Sequence, residues 1–280
     1  MLNFAINLAH QAGDLLRQGH ARGVDTIITK QSAVDLVTEV DLASDRLIGE
    51  SLRERFPDHA ILTEESSRDL PERGPVWVVD PLDGTTNFAH GYPVFSVTLA
   101  LLVDREIELG VIYDPLRDET FWAQRGQGAW RNGQGIQVST TAELGRSLLA
   151  TGFAYDRASN PDNNLAEFSH FMPKTRGVRR AGSAALELAF TAVGWLDGYW
   201  EKGLHVWDTA AGVLMVREAG GIATTYAGRP WRPGDRNVVV SNGVLHDVLL
   251  SGLRQARLAL PELDCCLLYT SPSPRDRTRS

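Results

Sequence analysis

The chain carries 280 residues, of which 43% are apolar and 22% charged, with a formal net charge of −7. That length exceeds the usual single core and admits one large or two coupled units, while the composition excludes a disordered or fibrous chain. The acidic balance argues against a general nucleic-acid surface, because phosphate backbones are gripped by surplus Lys and Arg.

Phe4, Leu8, Ala12, Leu15 and Leu16 predict an amphipathic helix ending at Gly19. Asp14 and Arg17 fall among them, so this start does not read as a signal peptide. Leu47, Ile48, Leu52 and Phe56 predict a second helix, stopped by Pro57. From His59 the texture changes to short apolar runs, Ala60-Ile61-Leu62 and Val76-Trp77-Val78-Val79, each followed at once by acids, which places carboxylates at strand ends. Residues 93–103 and 106–113 read as strands around a turn at Asp104-Arg105, and 121–138 as a strand pair around Asn132-Gly133. A strand at 148–151, a helix at 183–193, a strand at 198–201, a helix at 208–219 closed by Gly220-Gly221, a strand at 238–241 and a final helix follow.

No run reaches membrane-spanning length, and no internal repeat or linker precedes Pro261. Two halves, 1–140 with the acidic loop and 141–260 completing the site, are expected to share a packed interface. Residues 261–280 are expected to be disordered, and 267–280, rich in Ser, Pro and Arg, look like translated vector sequence and carry no functional argument. Cys265 and Cys266 are neighbours that neither staple a fold nor supply a metal site, which favours the cytoplasm.

Asp80 and Asp83 flank Pro81-Leu82 in what reads as a tight loop after an apolar strand. Two like charges at about 4 Å repel by roughly 4 kcal/mol at an effective dielectric near 20, so such a pair calls for cations or shifted protonation. With oxygen donors and no His or Cys beside the loop, the hard ion Mg²⁺ is preferred, with Mn²⁺ as the alternative, over zinc. Gly84-Thr85-Thr86-Asn87 then offers close backbone approach, two hydroxyls and N–H groups at a helix start, the chemistry that cradles a phosphate. The bland alternative is an ordinary Asp-Gly turn.

The string Trp77-Val78-Val79-Asp80-Pro81-Leu82-Asp83-Gly84-Thr85-Thr86-Asn87-Phe88 resembles the signature of the inositol monophosphatase family. Asp35-Leu36-Val37-Thr38-Glu39-Val40-Asp41 and Glu201-Lys202-Gly203-Leu204-His205-Val206-Trp207-Asp208-Thr209-Ala210-Ala211-Gly212 resemble two further family segments. The resemblance implies an α+β fold, a layered αβαβα sandwich, with the site between its halves and a homodimer. It also implies a lithium-sensitive hydrolase that takes a small phosphate ester with two or three magnesium ions. Glu64, Asp80 and the Leu82 carbonyl would hold one ion, and Asp80, Asp83 and Asp208 another, with Thr63 standing where glycine is common. Thr85, hydrogen-bonded towards Asp41, would orient the attacking water, so that Asp41, Glu64, Asp83 and Thr85 form the catalytic set. Gly84, Thr85, Thr86 and Asp208 would meet the phosphate. The stretch Gly182-Ser183-Ala184-Ala185, Ala184 in particular, and Glu201 would meet the alcohol. Lys30 would stand upstream on a mobile loop.

Against these roles stand plain ones: Asp41 and Asp208 as helix N-caps, and Gly182-Ser183 as the cap of an Ala-rich helix. His90 and His205 read as structural. Inositol monophosphate is the expected substrate. Histidinol phosphate, fructose bisphosphate and NADP are the alternatives on the same site, whereas a phosphoadenosine nucleotide is disfavoured because Lys-Glu-Phe does not follow the first Thr. A regulatory role in association with RNA polymerase is the alternative of another class.

Overall fold

The computed structural model describes residues 1–23, 27–29, 36–66 and 69–258. The expectations for Lys30, Asp35, the two cysteines and the 261–280 tail lie outside the described residues.

Helix α1 (Leu2–Arg22) is followed by a small antiparallel ribbon of β1 (Ile27–Thr29) and β2 (Leu36–Thr38), then by helix α2 (Glu39–Arg55). A seven-stranded sheet follows, whose spatial order equals its chain order: β3 (Ala60–Thr63), β4 (Pro75–Asp83), β5 (Ser96–Val103), β6 (Glu106–Asp114), β7 (Glu119–Gln124), β8 (Ala129–Arg131) and β9 (Gln134–Ile136). A short helix α3 (Thr85–Ala89) interrupts the connection from β4 to β5. The rest of the chain builds β10 (Leu148–Thr151), α4 (Leu165–Phe171), β11 (Gly177–Arg179), α5 (Ala184–Ala192), β12 (Gly198–Lys202), α6 (Val206–Glu218), β13 (Ile222–Thr224), β14 (Asn237–Ser241) and α7 (His246–Leu258). Its five strands pair in the order β11-β10-β12-β14-β13, with β10 parallel to both neighbours.

Strand β4 explains the layering. Its run Val76-Trp77-Val78-Val79 has no polar alternation because both faces are covered. Trp77 and Val79 join Val97, Leu99 and Leu101 of β5 against Leu8 and Leu16 of α1 and Ile48 and Leu52 of α2. Val76 and Val78 face the other way, into a core with Leu186 and Leu188 of α5, Val213 and Leu214 of α6, and Tyr199, Val238 and Val240 of the second sheet. The outer face of that sheet, Leu149, Trp200 and Val239, packs on Phe171 of α4 and Leu249 and Leu253 of α7. The order of layers is therefore helix, sheet, helix, sheet, helix, the α+β sandwich expected.

Several boundaries differ from expectation. Three strands, not a pair, occupy 119–136: Asn132-Gly133 turns β8 into β9, and a further turn at 125–128 separates β7 from β8. Helix α1 runs past Gly19 to Arg22, and α6 starts at Val206, before Asp208. The sequence reading also passed over β1, β2, α4, β11 and β13, elements of three to seven residues that are too short to impose a periodic pattern.

Candidate active site

Residues three apart on a regular strand point to opposite faces, so Asp80 and Asp83 would be separated by the sheet. They are not, because the β4–β5 pairing slips between Asp80 opposite Thr98 and Asp83 opposite Ser96. Three steps on one strand match two on the other, and this bulge turns both carboxylates to the face that carries α5 and α6. The two acids thus sit inside the irregular end of β4 and not in a loop beyond it, as the sequence reading had placed them. Glu64 arrives by a different rule. Strands β3 and β4 are parallel with Thr63 opposite Val79, so the next residues stand side by side, Glu64 just past the end of β3 and Asp80 still within β4.

The Oδ2 atom of Asp83 accepts the Ser96 hydroxyl at 3.3 Å, the Ala185 N–H at 3.0 Å and the Ser183 hydroxyl. Its partners come from both sheets' neighbourhoods, so Asp83 fastens the start of α5 to the end of β4. Ser183 also caps α5, accepting from the Leu186 N–H at 3.3 Å, and Ala184 turns its N–H towards Asp83. Asn87 adds a second fastening by donating to the Val94 carbonyl at 2.7 Å and the Ala181 carbonyl at 2.8 Å. Gly84, at φ 96°, lies where a Cβ would stand 3.0 Å from the Val94 oxygen and 3.2 Å from the Gly182 oxygen, so only glycine fits. Thr85 and Thr86 then occupy the first positions of α3, where backbone N–H groups lack partners within the helix.

Neither Asp41 nor Asp208 is an N-cap, which corrects the plain reading of both. Thr38 caps α2, and Asp41 reaches back from the third helical position to accept the Thr38 N–H at 2.8 Å, a reciprocal capping box. Asp208 likewise accepts the His205 N–H at 2.7 Å from the third position of α6. In each, Oδ2 takes that N–H. The other oxygen of Asp41 lies 3.1 Å from the Thr85 hydroxyl, which is also 3.1 Å from the Leu82 carbonyl, so one hydroxyl hydrogen serves two acceptors. Leu82 returns a hydrogen bond, its N–H donating to Asp80 Oδ1 at 3.0 Å.

Electrostatics make the cluster unstable on its own terms. Burial pushes Asp41 up to about 6. Asp80 is held well above the usual carboxylate range by burial and then by Glu64, Asp83 and Asp208. Asp208 is raised by burial and then by Glu64 and Asp83, against the His205 N–H. Asp83 is raised by burial while its Ser183, Ala185, Ala184 and Ser96 donors oppose the shift. Among the described residues no three His, Cys, Asp or Glu side chains close around one point, and repulsion opposes that closure until positive charge offsets it. A donor set made wholly of carboxylate and carbonyl oxygens, buried and mutually repelling, suits a hard divalent cation.

Glu201 sits at the rim of this cluster on β12. Tyr199 donates its hydroxyl to Oε2, and burial raises the carboxyl to about 7. Gly152 packs flat against it, and a Cβ there would overlap the Glu201 carboxylate. His205 stacks on Trp207 with ring centres 4.4 Å apart and is lowered to about 4 by burial and then Arg236, which keeps it a neutral structural residue. His90 closes α3.

Sequence reasoning missed two members. Glu187 is buried in α5, accepts the Ala181 N–H at 2.7 Å, and is held well above its ordinary pKa by burial and then Glu201. An acid inside Ala184-Ala185-Leu186-Glu187-Leu188-Ala189, where every other side chain is core, was the available signal. Arg180, exposed, is the second: its charge partly offsets the raised pKa values of Glu187 and Glu201.

Comparison with known proteins places the chain in a family. The profile of the inositol monophosphatase family matches residues 1–258. An inositol-1-monophosphatase of Synechocystis is 49% identical over 231 residues, 82% of this chain and 80% of that protein. The Nus factor SuhB of Escherichia coli K12 is 38% identical over 255 residues, 91% of this chain and 96% of that one. The solved inositol monophosphatase of Anabaena superposes with a TM-score of 0.83 at 44% identity, covering 94% of this chain and 97% of its own.

Proposed function

The chain belongs to the inositol monophosphatase family and is a phosphatase, and we propose that it hydrolyses a small phosphate monoester, inositol monophosphate foremost, with magnesium. The observation that carries this reading is the mutual repulsion among Glu64, Asp80, Asp83 and Asp208, drawn from both halves of the chain, beside the Thr85–Asp41 hydrogen bond. Those four side chains and the Leu82 carbonyl would hold Mg²⁺, which when bound neutralises phosphate charge, acidifies water and stabilises a departing alkoxide.

The remaining steps belong to the chain's own groups. The Thr85 hydroxyl donates to Asp41, leaving its lone pairs to accept from a water and aim the water's oxygen at phosphorus. Asp41, raised to about 6, is largely ionised at neutral pH and accepts the proton passed through Thr85. The N–H groups at the start of α3, from Thr85 and Thr86, cradle phosphate oxygens beside Gly84. Glu201, fixed by Tyr199, accepts a hydroxyl of the alcohol, and Ala184 lines the same side. The two sheets support a division into halves 1–140 and 141–260 with the site at their junction. Among the described residues no helix is long and apolar enough to cross a membrane. Lithium sensitivity, homodimers and a cytoplasmic location complete the reading.

Purified protein should release phosphate from inositol monophosphate with magnesium and stop on addition of EDTA. A panel with histidinol phosphate, fructose bisphosphate and NADP ranks the alternatives, and no release from any member overturns the reading. The relatives named Nus factors support a second role, regulation through a partner protein. A protein inert on the panel that nonetheless retains RNA polymerase in a pull-down would favour that role.

A further inference from the structure

Strand β5 faces the two aspartates of β4 with two hydroxyls. Its residues Val97, Leu99 and Leu101 enter the core under α1 and α2, whereas Ala100 and Leu102 enter the core under α5 and α6. Ser96 and Thr98 continue the second set, so both stand on the face to which the bulge has turned Asp80 and Asp83. Cross-strand register sets Ser96 opposite Asp83 and Thr98 opposite Asp80. Side chains directly opposite in an antiparallel pair are neighbours, with Cβ atoms about 4.5–5.5 Å apart.

The two hydroxyls are used differently. Ser96 donates to Asp83 at 3.3 Å. Thr98 is fully buried, and its hydroxyl finds no hydrogen-bond partner among the described residues. A buried hydroxyl without a partner is costly, and valine would fill the same volume without that cost. Asp80 meanwhile has Oδ1 held by the Leu82 N–H, and its Oδ2 accepts no hydrogen bond among the described residues. Across one rung of the sheet, a donor lacks an acceptor and an acceptor lacks a donor.

We propose that Thr98 is a positioning residue whose hydroxyl donates to Oδ2 of Asp80 and so sets the orientation of a carboxylate that would hold the cation. The inference rests on the magnesium reading above. The hydroxyl does not make this bond in the structure as it stands, and the register across β4 and β5 keeps the two side chains neighbours. Its effect on the cation passes through Asp80, as do the effects of other outer hydrogen bonds that orient ligands, which typically change metal affinity 10- to 100-fold.

The test is manganese binding to the full chain, followed by the electron paramagnetic resonance of the free ion, with the melting temperature of the metal-free protein taken alongside. Thr98→Val should melt at or above the wild-type temperature when metal-free, yet bind manganese at least tenfold more weakly. Thr98→Ser should bind like wild type. Should Thr98→Val melt early, Thr98→Ala supplies the second hydroxyl-free variant, read against Thr98→Ser. Equal manganese affinity in wild type and the hydroxyl-free variants overturns this inference alone. So does a Thr98→Ser variant as weak as Thr98→Val, which would assign the effect to packing. Wild-type protein that binds no manganese overturns the magnesium reading with it.

Discussion

Replacing Asp83 by Asn removes one charge from the cluster while keeping its shape, and the structure lets the two consequences be weighed separately. The Asp83 Oδ2 atom accepts two hydroxyls and the Ala185 N–H. Hydrogen bonds to a charged group contribute about 1.5–3 kcal/mol each and neutral ones about 0.5–1.5, so weakening three of them costs roughly 3–5 kcal/mol. Against this, removing a like charge near Asp80 and Asp208 relieves about 4 kcal/mol of repulsion at 4 Å and an effective dielectric near 20, and less at greater separation. The terms nearly cancel, so Asp83→Asn should unfold in urea within about 2 kcal/mol of wild type when metal-free. Activity has no such compensation. Loss of one preorganised charge at the reacting centre typically lowers turnover 10²–10³-fold, so phosphate release with saturating magnesium should fall by at least that factor. A folded Asp83→Asn variant that retains turnover within a few-fold of wild type would refute the role given to this residue, whatever its stability.

Asp41, raised to about 6 against an ordinary 3.8, binds its proton more tightly in the folded chain, so its contribution to stability is full below about pH 4 and is lost as pH rises through about 6. The shift of about two units corresponds to about 3 kcal/mol, and urea titrations in EDTA from pH 4 to 8 should show a decline that Asp41→Asn flattens. Phosphate release should rise across the same interval, since the ionised carboxylate is the acceptor. Gly152→Ala should displace the Glu201 carboxylate, raising KM for a polyol phosphate more than it lowers kcat, with an overpacking cost of about 1–3 kcal/mol in thermal melts. Thr38→Ala removes the cap of α2 and should cost about 1 kcal/mol, and it should also lower turnover because Asp41 loses the Thr38 hydroxyl, one of its two Thr38 donors, and keeps only the backbone N–H.

The chemistry of the site was legible in the string around Asp80 because ligand acids, turn glycine and helix-start threonines are adjacent in sequence. Its geometry was not. Whether Asp80 and Asp83 share a face depends on one slipped rung against β5, and pairing register is written in the partner strand as much as in β4. The plain alternative for Asp41 and Asp208, a helix N-cap, fails because the residue that caps α2, Thr38, stands three positions earlier, and α6 is capped from His205, a residue that single-residue preference does not favour. The αβαβα order was reached through family likeness, yet β4 carried it independently: an unbroken apolar run asks for cover on both sides. The strand order of the second sheet, with β10 in parallel contact with both β11 and β12, rests on tertiary contacts that no local pattern encodes.

The anchorage of α5 by Asp83 has a bearing on chimeras. An acidic group of one half is satisfied by Ser183 and Ala185 of the other, so residues 141–258 grafted from a relative must bring a hydroxyl and an open N–H to the same spot. A donor lacking that serine would leave a transplanted enzyme folded in both parts, with a reactive acid misaligned at their seam.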